Sequence, residues 1–267
     1  MKIAIIAGRY LFPIVLTKEI KKSFDYFIIS ICFRGETSKE IIKYSDKAYW
    51  LNVEDLNGLV GILQKEKPDQ CIMAGQINPR YIFKIKNKYM KNFLEDTDFR
   101  PHGVFGKFIS YLENLGFNFI DSTYYLKEYL ADYGIMNDLD IPQEVRKDIE
   151  FGKKIISDFV KLDIGQTIVV KNRAVIALEA IEGTNNTIKR AYKIAKNNCC
   201  ILKFSRPNQD MRFDVPVVGI STIKLLKKIK ASALVLEKNK VLILEKDNFL
   251  YLAKKYKIPV IGEEKLS

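Results

Sequence analysis

KIAIIAG (residues 2–8) and KPDQCIMAGQI (67–77) are the two stretches whose reading decides the fold. The first runs small and β-branched side chains to Gly8, and the second leads from a Pro68–Asp69 turn through CIMAG to Gly75. Such short, unbroken apolar runs read as buried strands. Between them lie a helical pattern reaching about Lys22 and a second strand, FDYFIISICF (24–33). Strands that alternate with helices predict a parallel sheet with helices on its faces. Ligands of such sheets gather beyond the carboxyl ends of the strands, where Gly8 and Gly75 stand. AGRYLFP (7–13) carries one glycine where a dinucleotide fingerprint has three, so it indicates neither an NAD site nor a P-loop. A plain turn glycine and one that lets a phosphate approach both remain open readings of Gly8.

GVFGKFISYLENLG (103–116) predicts a helix and FNFIDS (117–122) a strand. ADYGIMNDLDIPQEVRKDIE (131–150) is polar and contains Pro142, and reads as a connection. Beyond it the texture changes. TIVV, a Lys171–Asn172–Arg173 turn and AVIALEAI predict a hairpin. A helix follows, with Thr184 or Asn185 as candidate cap, then the strand CCILKFS (199–205). A helix from about Thr222, a hairpin ALVLEKNKVLILE (233–245), a helix DNFLYLAKKYK and a strand IPVIG complete the chain. The expected architecture is α/β in two domains. A Rossmann-like parallel sheet occupies 1–130, a linker 131–150, and a mixed α+β domain 151–267.

The 267 residues are 48% hydrophobic and 28% charged, which matches a globular chain able to bury a core. No run approaches a membrane span, and MKIAIIAG lacks a cleavage site, so a cytoplasmic protein is expected. Cys32, Cys71, Cys199 and Cys200 show no CxxC spacing and there is one histidine, which argues against zinc and for buried free thiols. The net charge of +12 suits an anionic partner: nucleic acid, an acidic membrane or a phosphorylated substrate. Many lysines fall in helical patterns such as KEIKK (18–22) and KLLKKIK (224–230), where they read as solvated faces.

KFSRPNQDMRFDVP (203–216) is the segment richest in chemistry. Lys203, Arg206 and Arg212 supply cations, and Asp210 and Asp214 supply hard oxygen ligands suited to magnesium. Arginine and lysine beside such a metal suit a pyrophosphate. Upstream, Glu179 and Glu182 lie near the end of an apolar strand, where a carboxylate needs a partner. Two readings compete: metal-assisted phosphoryl chemistry, or a loop whose aspartates pair with its own arginines while Glu182 faces outward or caps a helix.

LDIGQTIVVKNRAVIALEAIEGT (162–184) followed by ILKFSRPNQDMRFDVPVVG (201–219) resembles the signature of the LpxI family, the UDP-2,3-diacylglucosamine pyrophosphatases of lipid A biosynthesis. The IAG and MAGQ stretches and LENLGF (112–117) also correspond, so the likeness covers nearly the whole chain. It implies a cytoplasmic two-domain enzyme that meets its substrate at the inner membrane surface. Such an enzyme is expected to use a divalent metal (Mg2+, or another such as Mn2+) to hydrolyse UDP-2,3-diacylglucosamine to UMP and 2,3-diacylglucosamine 1-phosphate. On that reading Asp210, Asp214, Arg212 and Lys203 carry catalysis, and Asp210, Asp214 and Glu182 hold the metal. Gly8, Leu11, Gly75, Gln76, Gln166, Thr184 and Gln209 contact substrate. The sequence departs from the family pattern at Gly8–Arg9–Tyr10–Leu11–Phe12–Pro13, at Asn185 in place of an aspartate, and at His102–Gly103 in place of two aspartates.

Two further readings stand beside it. A non-catalytic or altered-substrate relative is motivated by those departures. A nucleic-acid-binding protein is motivated by the charge and by YIFKIKNKYMKNF (81–93), although that stretch also reads as a helix with lysines on its wet face. A homo-oligomer is compatible with all three readings.

Overall fold

The computed structural model describes residues 1–78 and 101–266. The stretch 81–93 and the His102 side chain lie outside the described residues. The chain divides into two compact units. One comprises Met1–Leu126 with Asp210–Asp214, the other Lys127–Gln209 with Val215–Ser267.

The first unit runs β1 (Lys2–Ala7), α1 (Phe12–Ser23), β2 (Phe27–Phe33), β3 (Lys47–Leu51), α2 (Leu56–Glu66), β4 (Gln70–Ala74) and α3 (Pro101–Asn114). Its sheet has the order β3-β2-β1-β4 with every pairing parallel, as the apolar runs predict. Ile3, Ala4, Ile5 and Ala7 of β1 are fully buried because a central parallel strand has no wet face. Pro13 stands in the first turn of α1, where its missing N–H is no loss, and Lys21 and Lys22 face the negative end of the helix dipole. The expected strand 117–122 shrinks to a single bridge between Phe119 and Cys71. Asp121 ends the extended run by accepting hydrogen bonds from Thr123 N and Oγ1 at 2.6 and 2.7 Å, an Asx-type turn.

The second unit contains β5 (Gly134–Ile135), α4 (Gln143–Phe159), β6 (Thr167–Lys171), β7 (Ala174–Leu178), α5 (Thr184–Ala195), β8 (Cys200–Lys203) and β9 (Val217–Val218). It continues with α6 (Ile220–Lys228), β10 (Ala233–Glu237), β11 (Leu242–Ile243), α7 (Lys246–Lys255) and β12 (Val260–Glu263). Residues 131–150, expected to connect the domains, thus carry β5 and the first half of α4. The mixed sheet has the order β5-β12-β10-β8-β6-β7. The β8–β10–β12 core is parallel, and β6 and β5 run antiparallel to their neighbours β8 and β12. Alternate side chains feed two cores. Val169, Ile201 and Leu234 pack with Ile188, Ile223 and Phe249, while Ile168, Leu202 and Val235 pack with Ile149 and Ile156 of α4.

The β6–β7 hairpin forms as predicted. Asn172 and Arg173 take φ of 51° and 58°, the double positive φ of a type I′ turn. Buried Asp148 of α4 holds that turn by accepting from both backbone amides, at 3.1 and 2.6 Å. The second predicted hairpin, 233–245, is not one. β10 is buried along its whole length with β8 and β12 on its two edges, so β11 has no edge to join and pairs with β9 instead. Among the described residues no helix is long and apolar enough to cross a membrane.

All four cysteines are buried free thiols, as expected. Burial pushes the Cys32 and Cys71 thiols up to about 12. Native protein is therefore expected to resist Ellman's reagent at neutral pH and to release four reactive thiols in denaturant; rapid native labelling would contradict the packing. Because the folded values lie above the unfolded ones, the stability these thiols contribute is complete below about pH 9 and drains away as pH climbs toward about 12.

Candidate functional site

β8 ends at Lys203, and the antiparallel neighbour β6 begins opposite it at Thr167. Glu179, just past β7, is held beside Thr167 by a hydrogen bond from its own N to Thr167 O at 2.8 Å. Gly165 packs on that turn so closely that a Cβ there would lie 2.2 Å from Glu179 O. These strand ends meet the start of α5, and Gln166, Glu179, Thr184, Lys203 and Gln209 form a single network.

Thr184 is its centre. Lys203 Nζ donates to Thr184 Oγ1 at 2.8 Å, and that hydroxyl donates to Glu179 Oε1 at 3.0 Å. A hydroxyl has one proton, so the 3.1 Å contact between the Thr167 and Thr184 hydroxyls must run from Thr167. Glu179 Oε2 accepts from Gln166 N at 3.3 Å. Gln166 Nε2 donates to Gln209 Oε1 at 3.3 Å, and the same oxygen accepts from Arg206 N at 3.0 Å. Lys203, Glu179 and Gln166 are 6%, 8% and 8% exposed, so a cation, an anion and an amide are all withdrawn from water. The ammonium has three donors, and Thr184 is its one hydrogen-bond acceptor among the described residues. Gln166 Oε1 is buried with no hydrogen-bond partner among them.

The predicted cap of α5 differs from the structure. Gly183, at φ 80°, is the N-cap and supplies no side chain, because Thr184 turns its hydroxyl to Lys203 and Glu179 instead. Asn185 accepts a bond from Thr222 at 3.3 Å. The helix thus starts without a side-chain cap and with its positive end toward this network.

Glu182 turns to its own helix, accepting from Arg190 Nη2 at 2.7 Å, Ala180 N at 3.1 Å and Thr187 Oγ1 at 3.3 Å. Burial alone would push this carboxyl up, but the bonds from Arg190 and the backbone hold it below the usual range. Arg206 forms an ion pair with Asp163.

In the first unit, Asp210–Asp214 closes a turn through Asp214 N to Asp210 O at 2.9 Å. Ser122 N fastens it by donating to Met211 O at 2.9 Å. Arg212 Nε and Nη2 reach the two Asp210 carboxylate oxygens at 3.0 and 2.7 Å, and Nη1 reaches Glu113 at 2.5 Å. Asp210 first, and Glu113 after it, raise the Arg212 pKa, so the guanidinium stays charged. Glu113 escaped the sequence reading as a site residue. Its only signal was its place in LENLGF, one of the stretches shared with the family.

Gly8 and Gly75 meet each other. Gly8 N donates to Ala74 O and Arg9 N to Gln76 O, at 2.8 and 2.7 Å. A Cβ on Gly8 would lie 2.7 Å from Gln76 O, and one on Gly75, at φ 84°, would lie 2.5 Å from Arg9 O. Close approach of two loops explains both glycines without a ligand. Leu11, at the start of α1, and Gln76 are exposed beside them.

Two of the expected Mg2+ or Mn2+ ligands, Asp210 and Glu182, are engaged by arginines and do not fit a metal site. Both Asp210 oxygens face Arg212, and Glu182 is held by Arg190. Among the described residues no group of three or more metal-binding side chains is assembled.

Fold and network together define a two-domain α/β protein, with a parallel sheet in the N-terminal part and a mixed sheet bearing the Lys203 network in the C-terminal part. Residues 2–129 match the family model of the LpxI N-terminal domain, and residues 132–261 that of the LpxI C-terminal domain. The chain belongs to the LpxI family, which is linked to lipid A biosynthesis and UDP-2,3-diacylglucosamine hydrolysis. It is 25% identical over 158 residues to the UDP-2,3-diacylglucosamine pyrophosphatase LpxI of Caulobacter vibrioides. That match covers 56% of this chain and 56% of the relative, so the chain spans about half the length of the curated relative it matches. Among solved structures, a biotin carboxylase domain of a thermophilic 2-oxoglutarate carboxylase overlaps at TM-score 0.24 and 11% identity, covering 63% of this chain and 34% of that one. N5-carboxyaminoimidazole ribonucleotide synthetase from Thermotoga maritima overlaps at 0.25 and 14%, covering 63% and 38%. Overlaps this slight carry no argument.

Replacing Thr184 by Val removes the hydroxyl that joins two buried charges. Urea denaturation is expected to show a loss of about 1–3 kcal/mol, the cost of leaving buried polar groups unsatisfied. Thr184→Ser should restore most of it. Equal stability of the Val and Ser variants would show that the hydroxyl is not the link.

Proposed function

We propose that this chain hydrolyses the pyrophosphate bond of UDP-2,3-diacylglucosamine, with water adding across the bond to release UMP and 2,3-diacylglucosamine 1-phosphate. The observation that carries the reading is Lys203: a 6% exposed ammonium with donors to spare, beside the uncapped start of a twelve-residue helix. A buried cation and a helix N-terminus are both stabilised by a phosphate oxyanion. The family membership supplies the particular diphosphate.

Roles follow from the chemistry of each side chain. Lys203 neutralises charge that builds on the phosphoryl oxygens and the leaving phosphate, and Arg212 is assigned to catalysis from its place in the family motif. Asp210 faces Arg212 with both oxygens, which makes it the group that orients the guanidinium. Asp214, a carboxylate of the family motif, is assigned to take the proton from the attacking water. Gln166 Oε1, a buried acceptor without a partner among the described residues, suits a hydroxyl or amide N–H of the acylated sugar. No step is routed through Mg2+ or Mn2+, since two of the three carboxylates expected to hold the ion, Asp210 and Glu182, face arginines instead. Lipid contact at a membrane belongs to the same reading, because the substrate is a diacylated sugar nucleotide.

Lys203→Met keeps the length and apolar stem of the side chain while removing the charge. Incubated with UDP-2,3-diacylglucosamine and followed by mass spectrometry of UMP, this variant is expected to lose about 100-fold or more in kcat/KM. Its circular dichroism should stay native. Wild-type rates from the folded variant would remove Lys203 from the reaction, and no UMP from the parent chain would remove the proposed reaction itself.

A further inference from the structure

One side of the second unit carries a surface that neither the network nor the core explains. β7 is the outermost strand of its sheet, and Val175 and Leu178 on it are 36% and 40% exposed. Ile181, in the loop that follows, is 70% exposed, and Ile194 on α5 is 65% exposed. Ile164, 54% exposed, precedes the glycine that packs on Glu179. Arg190 ties these parts together. Its Nη2 donates to Leu178 O on the β7 edge at 2.7 Å, and Ile194 follows it by one helical turn on the same row of α5. Exposed apolar side chains on and beside an edge strand are a liability unless something covers them.

Charge says what covers them. Residues 164–198 hold six lysines and arginines against two glutamates. Of those two, Glu179 is buried in the Lys203 network and Glu182 is paired with Arg190. The exposed apolar side chains are therefore set among unopposed cations such as Lys189 and Lys193. A second copy meeting this patch across a twofold axis would set like charges against one another. An anionic lipid surface reverses the sign, taking the isoleucines into the headgroup boundary while attracting the lysines.

We propose that the β7 edge, the Ile181 loop and the outer row of α5 form the surface by which this protein docks on an anionic bilayer. The inference rests on the proposed function for its reason to approach lipid, a diacylated substrate. The surface also lies at the rim of the network: Ile164 and Ile181 are two residues or fewer from Gln166 and Glu179 in the chain.

The test is sedimentation of the full chain with vesicles of phosphatidylcholine, alone or mixed with phosphatidylglycerol. Binding is expected to the mixed vesicles and to weaken with added salt. A double variant, Ile181→Glu with Ile194→Glu, should lower partitioning by about tenfold or more. Ile135→Glu, on the exposed strand β5 at the opposite edge of the sheet, should leave it unchanged. No binding by the parent chain, or equal binding by the double variant, overturns the proposal. So does a dimer in light scattering that the double variant abolishes, which would give the surface to a second copy. Turnover of UDP-2,3-diacylglucosamine in detergent is measured on the same proteins. Parent-like turnover by a variant that no longer binds vesicles supports docking as a separate step. Vesicle binding by a chain that turns nothing over would remove the reaction and leave the surface standing.

Discussion

The second unit is organised around the burial of one positive charge. Lys203 lies at the end of β8 and is almost completely withdrawn from water, and an ammonium there is tolerable only beside acceptors and an anion. Thr184 passes the link on to Glu179, and Glu179 in turn anchors the backbone at Gln166. Gly165 has to be glycine for Glu179 to approach so closely. The start of α5, the end of β7 and the entry to β6 are thus held by a single chain of hydrogen bonds. Removing one member leaves charge stranded, so this corner has little freedom to drift.

The first unit solves a related problem with an exposed-to-half-buried cation. Arg212 is gripped from two sides, by Asp210 in its own turn and by Glu113 near the end of α3, with Ser122 fixing the backbone between them. A planar guanidinium with five donors suits such a double hold, where a lysine would offer a single mobile point charge. The charged state of Arg212 is secured by the same contacts that fix its direction.

Much of this was legible in the residues. β1, β2 and β4 announce themselves as buried parallel strands, and the Asn172–Arg173 turn declares its hairpin through residues that tolerate positive φ. The motif positions Gln166, Glu179, Thr184, Lys203 and Gln209 stand within contiguous stretches of the sequence that carry the family signature. Other parts were hidden for physical reasons. The 233–245 stretch has the strand–turn–strand rhythm of a hairpin, but rhythm does not reveal whether an edge is free, and both edges of β10 are taken. A threonine before a helix reads as a cap. Its hydroxyl had a stronger claim on it, from a buried lysine and glutamate far apart in the chain. Acidic residues read as metal ligands prove to face arginines, because a sequence shows the charge of Asp210 and Glu182 but not the direction of the side chain.

By itself, the sequence determined the class of fold, the two-part organisation, the buried thiols and the family, because these rest on local periodicity and on motifs written contiguously along the chain. Tertiary structure alone decided which cations are bound to which acids, how Gly8 and Gly75 answer to each other, and which apolar side chains remain uncovered on β7 and α5. Such features depend on the directions of side chains and on distances between residues that lie from two to about a hundred positions apart. Those distances are set by how sheets close and helices pack, and no local pattern encodes them.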